Sequence, residues 1–341
     1  MKKILVTGGT GFIGSHTVVA LQEKGYEVVI VDNLSNSTES VVSQIAAITG
    51  IMPVFVKLDL SDAQACKHFF AEYTTFDAII HFAAAKAVGE SVEKPLFYYK
   101  NNIVSLLNVL EQVSIHHIPH FVFSSSCTVY GQSDHLPVDE DTPRQKAESP
   151  YGNTKAIAED ILSDIAKVSP LSVLALRYFN PIGAHPSAKI GELPIGVPNN
   201  LLPYITQTAI GKRACLSVFG NDYNTPDGTP IRDYIHVCDL AEAHVLAMEY
   251  MFTSHPKEIE YYNLGTGNGF SVLEVIKSFE RSSGVKLNYQ IVARRAGDIE
   301  QIWGNPQKAE KMLGWKAKRN IDEMTLSAWR WEQKLAQSLK K

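Results

Sequence analysis

Between a short apolar run and a helix-like one stands Gly8-Gly9-Thr10-Gly11-Phe12-Ile13-Gly14, and no other segment limits the fold as much. Lys3-Ile4-Leu5-Val6-Thr7 reads as a buried parallel strand, and Phe12 to Lys24 as a helix stopped by Gly25. Glycines at that turn let the backbone bend tightly and approach a ligand, while the helix start offers unpaired N–H groups and partial positive charge. The spacing Gly8-x-x-Gly11-x-x-Gly14 gains its meaning from context. Tyr26 to Val31 reads as a second strand ending at Asp32, whose carboxylate is placed to accept both ribose hydroxyls of an adenosine. The same charge repels a 2′-phosphate. The arrangement therefore predicts a dinucleotide site that takes NAD in preference to NADP.

With 341 residues the chain has room for one large or two modest domains. Its 45% apolar and 20% charged content is that of an ordinary globular protein, and a net charge of −4 gives no footing for nucleic acid or an acidic membrane. Met1-Lys2-Lys3 faintly resembles the start of a signal peptide, but the apolar stretch breaks at Gly8. No uncharged run approaches the ~18 residues of a membrane span. Cys66, Cys127, Cys215 and Cys238 show no metal-ligand spacing and suit a reducing cytoplasm. No cysteine or carboxylate joins His116, His117 and His120, so no metal is expected.

Further strands are expected at Pro53–Leu58, Asp77–His81, His120–Ser125 and Leu171–Tyr178. Helices are expected from about Asp62, over Leu96–Val113 and over Pro150–Val168. This alternation predicts an α/β fold: a Rossmann-type, doubly wound parallel sheet with helices on both faces. Ligands of such sheets lie beyond the carboxyl ends of the strands, which selects Thr7–Gly14, Asp32, Asp59–Leu60, Phe82–Lys86 and Ser124–Thr128. After Tyr178 the texture changes. Pro181–Pro203 and Gly220–Pro230 are rich in Pro, Gly and Asn, as binding loops often are. Asp239–Met251 is again helical, and Ile259–Leu264 is a strand placed to rejoin the sheet. We expect a dinucleotide domain over 1–180, with 236–266 returning to it, and a smaller interleaved α/β substrate domain over 181–341.

Tyr151 and Lys155 stand one helical turn apart on one face of a predicted helix. A free tyrosine, with pKa ~10, is a poor base at neutral pH. A nearby ammonium and a cationic nicotinamide ring would stabilise the phenolate and lower that pKa. The pair is then suited to take a proton from an alcohol while hydride leaves the same carbon. Ser126, at the end of the fifth strand, is placed to hydrogen-bond the same oxygen.

The glycine motif, Asp32, Ser124-Ser125-Ser126 and the Tyr151/Lys155 pair resemble the extended, nucleotide-sugar-modifying short-chain dehydrogenases/reductases, and within them the 4-epimerases of UDP-hexoses. The likeness runs over nearly the whole chain. It is carried by Lys86-Ala87-Val88-Gly89-Glu90-Ser91, Tyr178-Phe179-Asn180-Pro181, Gly183-Ala184-His185-Pro186 and Pro198-Asn199-Asn200-Leu201. Phe219-Gly220-Asn221-Asp222-Tyr223, Arg232-Asp233-Tyr234-Ile235-His236-Val237, Tyr262-Asn263-Leu264-Gly265, and Arg295 with Gly297-Asp298 continue it.

The resemblance implies an isomerase with permanently held NAD that interconverts UDP-galactose and UDP-glucose through a 4-keto sugar, as in galactose metabolism. It implies that Ser126, Tyr151 and Lys155 are catalytic. Gly8, Gly11, Phe12, Ile13, Gly14, Asp32, Asn33, Asp59, Leu60, Phe82, Ala83, Ala84, Lys86, Asn101, Ser124, Tyr151, Lys155 and Phe179 would contact NAD. Lys86, Ser126, Tyr151, Asn180, Asn200, Leu201, Phe219, Arg232, Tyr234, Arg295, Asp298 and Ile302 would face the UDP-sugar. Arginine suits bidentate phosphate contacts at 232 and 295.

A nucleotide-sugar 4,6-dehydratase needs an acid and a base to expel water, and its relatives carry Asp-Glu where this chain has Cys127-Thr128. A UDP-glucuronate 4-epimerase is excluded less by mechanism than by the segments of the second half. An NAD-binding regulatory protein commonly lacks the Tyr/Lys pair, which is present here. Family members place tyrosine at position 302 where only plain hexoses fit and a small residue where N-acetyl sugars enter. Ile302 lies between these, and we expect activity mainly on the plain hexoses. The resemblance also implies a homodimer formed through Leu96–Val113 and Pro150–Val168.

Overall fold

The computed structural model describes residues 1–295 and 298–338. The chain begins β1 (Lys3–Thr7), α1 (Phe12–Glu23), β2 (Glu27–Asp32), α2 (Ser40–Thr49), β3 (Val54–Lys57), α3 (Ala63–Glu72) and β4 (Ala78–His81). Next come α4 (Val88–Glu93), α5 (Pro95–Tyr99), a π-turn over Lys100–Val104, α6 (Ser105–Ile115), β5 (His120–Ser126), α7 (Pro150–Val168) and β6 (Ser172–Tyr178). The second half holds β7 (Asn180–Ile182), α8 (Leu201–Ala209), β8 (Leu216–Phe219), β9 (Ile231–His236), α9 (Val237–Ser254) and β10 (Glu260–Leu264). It ends with β11 (Gly269–Ser271), α10 (Val272–Ser283), β12 (Tyr289–Val292), β13 (Gln301–Ile302), α11 (Gln307–Leu313) and α12 (Ile321–Ser338).

Among the described residues, seven parallel strands form the main sheet in the order β10-β6-β5-β4-β1-β2-β3. The order reverses at β1, between β2 and β4, which opens a crevice there at the carboxyl ends. Side chains of a strand alternate between faces, and here both faces are apolar. Ile4, Val6, Ile30, Ile80, Val122 and Leu174 pack with Val18, Leu21, Ile45, Leu240 and Met248 of α1, α2 and α9. Leu5, Val29, Ile79, Phe121 and Val173 pack with Phe70, Leu106, Val109, Ala158 and Leu162 of α3, α6 and α7 on the other face. The fold is Rossmann-type and doubly wound.

A third cluster holds the second half together, with Ile205, Leu216, Tyr234, Phe279, Met324 and Trp329 among its members. It is built on β9, which pairs with β7, β11 and β13. A small fourth cluster of Cys127, Val129, Tyr130, Val138, Phe179 and Ile302 joins the ends of β5 and β6 to β13.

The sequence expectations meet this structure closely from β1 to β6, with α7 matching to the residue. The helix expected over Leu96–Val113 is one rod in two α segments separated by the π-turn. Helix α2 has no counterpart among the expectations. Its entry, Asn33-Leu34-Ser35-Asn36-Ser37-Thr38, reads as loop, and its N-cap Glu39 makes no side-chain cap bond. The stretch expected to be irregular from Pro181 includes the short β7 and the start of α8.

Candidate active site

The glycine turn is as tight as its composition demands. Gly8 has φ +70°, and its N–H bonds the Val31 carbonyl at 2.7 Å, tying β1 to β2 at the crevice. A Cβ on Gly14 would lie 2.3 Å from the Gly8 carbonyl oxygen, and one on Gly9 2.8 Å from Ile30 Cγ2. Gly11 caps α1 in extended conformation with no side-chain cap, so no side chain competes for the first N–H groups of the helix. Asp32 is buried at the end of β2, its carboxylate accepting from Thr10 N–H at 3.2 Å and Leu34 N–H at 2.9 Å. Burial opposes ionisation of Asp59, but hydrogen bonds from Ser61 and Asn33 prevail and hold its carboxyl below the usual range. Leu60 is anchored by Asn108, whose Nδ2 donates to its carbonyl at 2.8 Å. These groups form a cradle into which a dinucleotide fits: backbone N–H groups for a pyrophosphate and a fixed carboxylate for ribose hydroxyls.

The strand end after β4 is held by a residue absent from the expectations. Asn102 bonds both backbone groups of Ala85, at 2.8 and 2.9 Å, and its Nδ2 also donates to Thr154 of α7 at 3.1 Å. Asn101, its neighbour in the π-turn, donates to Asn102 at 2.9 Å. Ala83 N–H lies 3.4 Å from Thr7 Oγ1, and Phe82 stands 4.7 Å from His244 between ring centres. Ala84 is partly exposed in the same bend.

At the end of β5 the three serines serve different partners. Lys155 Nζ donates to the Ser124 carbonyl at 2.5 Å and lies 5.9 Å from the Tyr151 ring centre. The Ser124 hydroxyl meets the Tyr178 hydroxyl. Ser125 donates to Glu159 at 2.6 Å, and Glu159 takes a fork of two bonds from Arg177, at 2.9 and 2.7 Å. Ser126 faces the Tyr151 phenol and accepts from Thr128 Oγ1 at 3.0 Å. Burial lowers the Lys155 ammonium to about 7, against the pull of Glu159.

In the protein alone the Tyr151 phenol is not made acidic: burial pushes it up to about 12, with Ser126 drawing it the other way. The lysine is bound to a carbonyl and not to the phenol, so the field that would lower the phenol has to include the cation of the ring. Cys127 is likewise pushed up to about 12 by burial, which leaves a neutral thiol beside the serines.

The second half contributes a cluster of charge. Arg232 on β9 bonds Asp298 at 2.6 Å and the Ile299 carbonyl at 2.7 Å, and Arg295 lies 3.7 Å from Asp298. The Arg295 guanidinium is 5.9 Å from the ring centre of Phe219, which is 41% exposed. Gly297, which belongs to the same motif, lies outside the described residues. Tyr234 is buried in the cluster of the second half, with Leu201 packed against it. Phe179 and Ile302 stand together in the fourth cluster, and Asn180 follows Phe179 into β7. Lys86 and Asn200 meet on one carboxylate, that of Glu192, at 3.2 and 2.5 Å.

Several residues at this site escape a reading of motifs. Asp233 accepts from Thr266 N–H and Oγ1, Gly267 N–H and Gly304 N–H, binding β9 to two neighbouring turns. Burial raises it to about 6. Its place in Arg232-Asp233-Tyr234 is the signal, since alternation puts it opposite its charged neighbour. Arg294 pairs with Asp222 at 2.7 Å and covers Tyr223, and no spacing in the sequence distinguishes it from Arg295.

Comparison with known proteins shows the family. Residues 5–327 match the family described as GDP-mannose 4,6 dehydratase. The chain is 51% identical to the UDP-glucose 4-epimerase of Bacillus subtilis (strain 168), over 96% of this chain and 96% of that protein. It superposes with a TM-score of 0.95 on the UDP-glucose-4-epimerase of Stenotrophomonas maltophila solved with bound NAD and formylated UDP-arabinopyranose, at 46% identity and 99% and 100% coverage. The enzyme of Bifidobacterium longum, in complex with NAD+ and UDP, gives 0.94 at 46% identity, with 98% of each chain covered.

Proposed function

Since this chain belongs to the UDP-glucose 4-epimerases, within the family described as GDP-mannose 4,6 dehydratase, we propose that Tyr151 is the residue that exchanges a proton with the 4-hydroxyl of the sugar. The enzyme is an NAD-dependent isomerase that interconverts UDP-galactose and UDP-glucose. Bound NAD supplies the hydride acceptor and donor, and in its oxidised form a positive charge. Gly8, Gly11 and Gly14 would let the backbone reach the pyrophosphate, with Phe12 and Ile13 offering N–H groups. Asp32 and Asn33 would hold the ribose, Asp59 and Leu60 would border the adenine side, and Phe82–Lys86, Asn101, Ser124 and Phe179 would line the remainder.

Ser126 orients the phenol of Tyr151 toward the sugar oxygen, and Lys155 fixes the positive potential below it. The keto sugar has to turn over before the proton returns, so binding energy belongs on the UDP group and not on the hexose. Asn180, Asn200, Leu201, Phe219, Arg232, Tyr234, Arg295 and Asp298 would provide it. The observation that carries this reading is the buried Lys155, one turn from Tyr151 and hydrogen-bonded to the strand end that bears Ser126. We expect Tyr151→Phe to fold and retain NAD yet lose nearly all turnover in a coupled assay on UDP-galactose. A wild-type rate would assign the base elsewhere.

We take 1–180, with 236–266 returning to it, as the cofactor domain and 181–341 as the UDP-sugar domain. We propose activity mainly on the plain hexoses, with Ile302 beside Phe179 at the position that sets this preference, and comparable turnover of UDP-N-acetylglucosamine would overturn that. Leu96, Phe97 and Leu107, at 75%, 49% and 46% exposure on α5 and α6, support a homodimer. Four free cysteines support a cytoplasmic location.

A further inference from the structure

Asn200 stands where a helix-capping residue belongs, and it does not cap. An asparagine at the N-cap ordinarily accepts from the first N–H groups of its own helix. At the start of α8 no such bond is made. The Asn200 Nδ2 donates instead to Glu192 Oε1 at 2.5 Å, and the same oxygen takes the Lys86 ammonium at 3.2 Å. Lys86 follows β4 of the main sheet and Asn200 opens α8 in the second half. One carboxylate oxygen therefore joins two residues assigned to the UDP-sugar, and Glu192 itself has no role among those assigned so far.

Glu192 is held from behind. Its carbonyl accepts from Trp331 Nε1 at 3.0 Å, and a Cβ on Gly191 would lie 2.5 Å from Trp331 Cδ1, so the chain lies close against the indole of α12. Ile190 is packed into the core of the main sheet, and its carbonyl accepts from His185 N–H at 3.1 Å. Lys86, in contrast, is fixed only at its base. Asn102 bonds both backbone groups of Ala85, and the Tyr98 hydroxyl accepts from Ala87 N–H at 3.0 Å. The lysine side chain is 51% exposed, and among the described residues Glu192 is the one carboxylate it meets. Left alone, such a side chain samples many rotamers, and ordering it would weaken any ligand it binds. A carboxylate anchored to the fold removes that cost beforehand. The side chain of Glu192 still meets solvent, at 12% exposure.

We propose that Glu192 is a positioning residue for the UDP-sugar, holding the Lys86 ammonium and the Asn200 amide where the substrate meets them. The inference rests on the assignment of Lys86 and Asn200 to that substrate. A carboxylate close to a diphosphate also repels it, so by charge alone its removal would tighten binding. Positioning has the opposite sign, which makes the two separable. Because the order exists before substrate arrives and is kept through the reaction, Glu192 acts on binding and not on chemistry.

The test is Glu192→Gln in the NAD-loaded enzyme, which keeps the shape and an acceptor for Asn200 and removes the charge that holds the lysine. The Michaelis constants of UDP-glucose and UDP-galactose should rise about 3–10-fold, with kcat kept within about twofold. Retained NAD and the melting temperature should match the parent, since an ion pair with a half-exposed lysine adds little to stability. In a Lys86→Met background the same change should add less than about twofold, because the group it would place is gone. An unchanged Michaelis constant would overturn the proposal. A lowered one would do so too, showing that the carboxylate competes with the substrate for its donors, as would an undiminished effect in the Lys86→Met background. Lys86→Met by itself tells the two assignments apart. If it raises the Michaelis constant and Glu192→Gln does not, only the role of Glu192 fails. If it leaves the constant unchanged, Lys86 is misplaced at the substrate and the role of Glu192 falls with it.

Discussion

Lys155 is a cation kept from water, and Glu159, one turn further along α7, is the charge that draws its pKa back up. Glu159 is fully buried, and it also neutralises Arg177 through a fork, the geometry in which a buried pair is strongest. Glu159→Gln should therefore do two separable things. Arg177, itself buried, loses its countercharge, which should cost about 3–5 kcal/mol in chemical denaturation. Lys155 loses the field that favours its charged form, so its ammonium should be given up at lower pH. The alkaline limb of the kcat profile should then move downward in pH. A stable variant with an unmoved profile would show that neither charge depends on Glu159.

Among the elements, the junction of β1 and α1 has the least tolerance. A Cβ at Gly14 meets the Gly8 carbonyl and Gly9 Cα, which are backbone atoms and cannot swing aside. Gly14→Ala should open the turn and yield protein whose released NAD, measured after denaturation, is strongly depleted. Gly25→Ala is the control: φ is +83° with nothing within 4 Å, so it should cost about 1–2 kcal/mol and keep its NAD. Depletion in both, or in neither, would remove the turn from its assigned role.

That junction is also where the sequence is most legible, because strand, glycines, helix and Asp32 must coincide for the turn to exist. Alternation along β1, β2, β4, β5 and β6 is masked by burial on both faces, yet a Gly or Pro beside β1, β2, β5 and β6 places those strands, and β4 shows as an apolar run behind Asp77. The rest was hidden for identifiable reasons. Asn102 reaches Ala85 only because the π-turn advances it around the rod, an offset that 3.6-residue periodicity does not contain. Glu192 lies in an irregular loop, and its contacts with Lys86 and Asn200 are set by Trp331, 139 residues away, holding its carbonyl at 3.0 Å. Helix α10 does carry a local signal, the capping box of Ser271 and Glu274, in a region where the expectations assign no element.

Seen as a whole, the molecule closes around neutral histidines. His16 on α1 and His236 at the start of α9 lie near the meeting of the two halves, His81 ends β4, and His244 lies beneath Phe82. Burial lowers His16, His81 and His236 to about 3 and His244 to about 4. The sign of the linkage follows. Between those values and 6.5 the unfolded chain binds protons that the native state refuses, so stability is whole above 6.5 and drains as pH falls. At pH 4.5 each histidine should cost roughly 2–3 kcal/mol, and four together approach the 5–15 kcal/mol that holds a typical protein folded. Asp233 opposes them, because burial raises it to about 6 and the native state then holds one proton more than the unfolded chain between 3.8 and 6. His120, which burial lowers to about 4, adds a fifth histidine, so unfolding near pH 5 should take up about four protons net, read from the pH dependence of the urea-unfolding free energy. His244→Leu should reduce that number by about one and flatten the acid limb. A urea midpoint that stays level from pH 7 to pH 5 would mean that the histidines are reached by water before the protein opens.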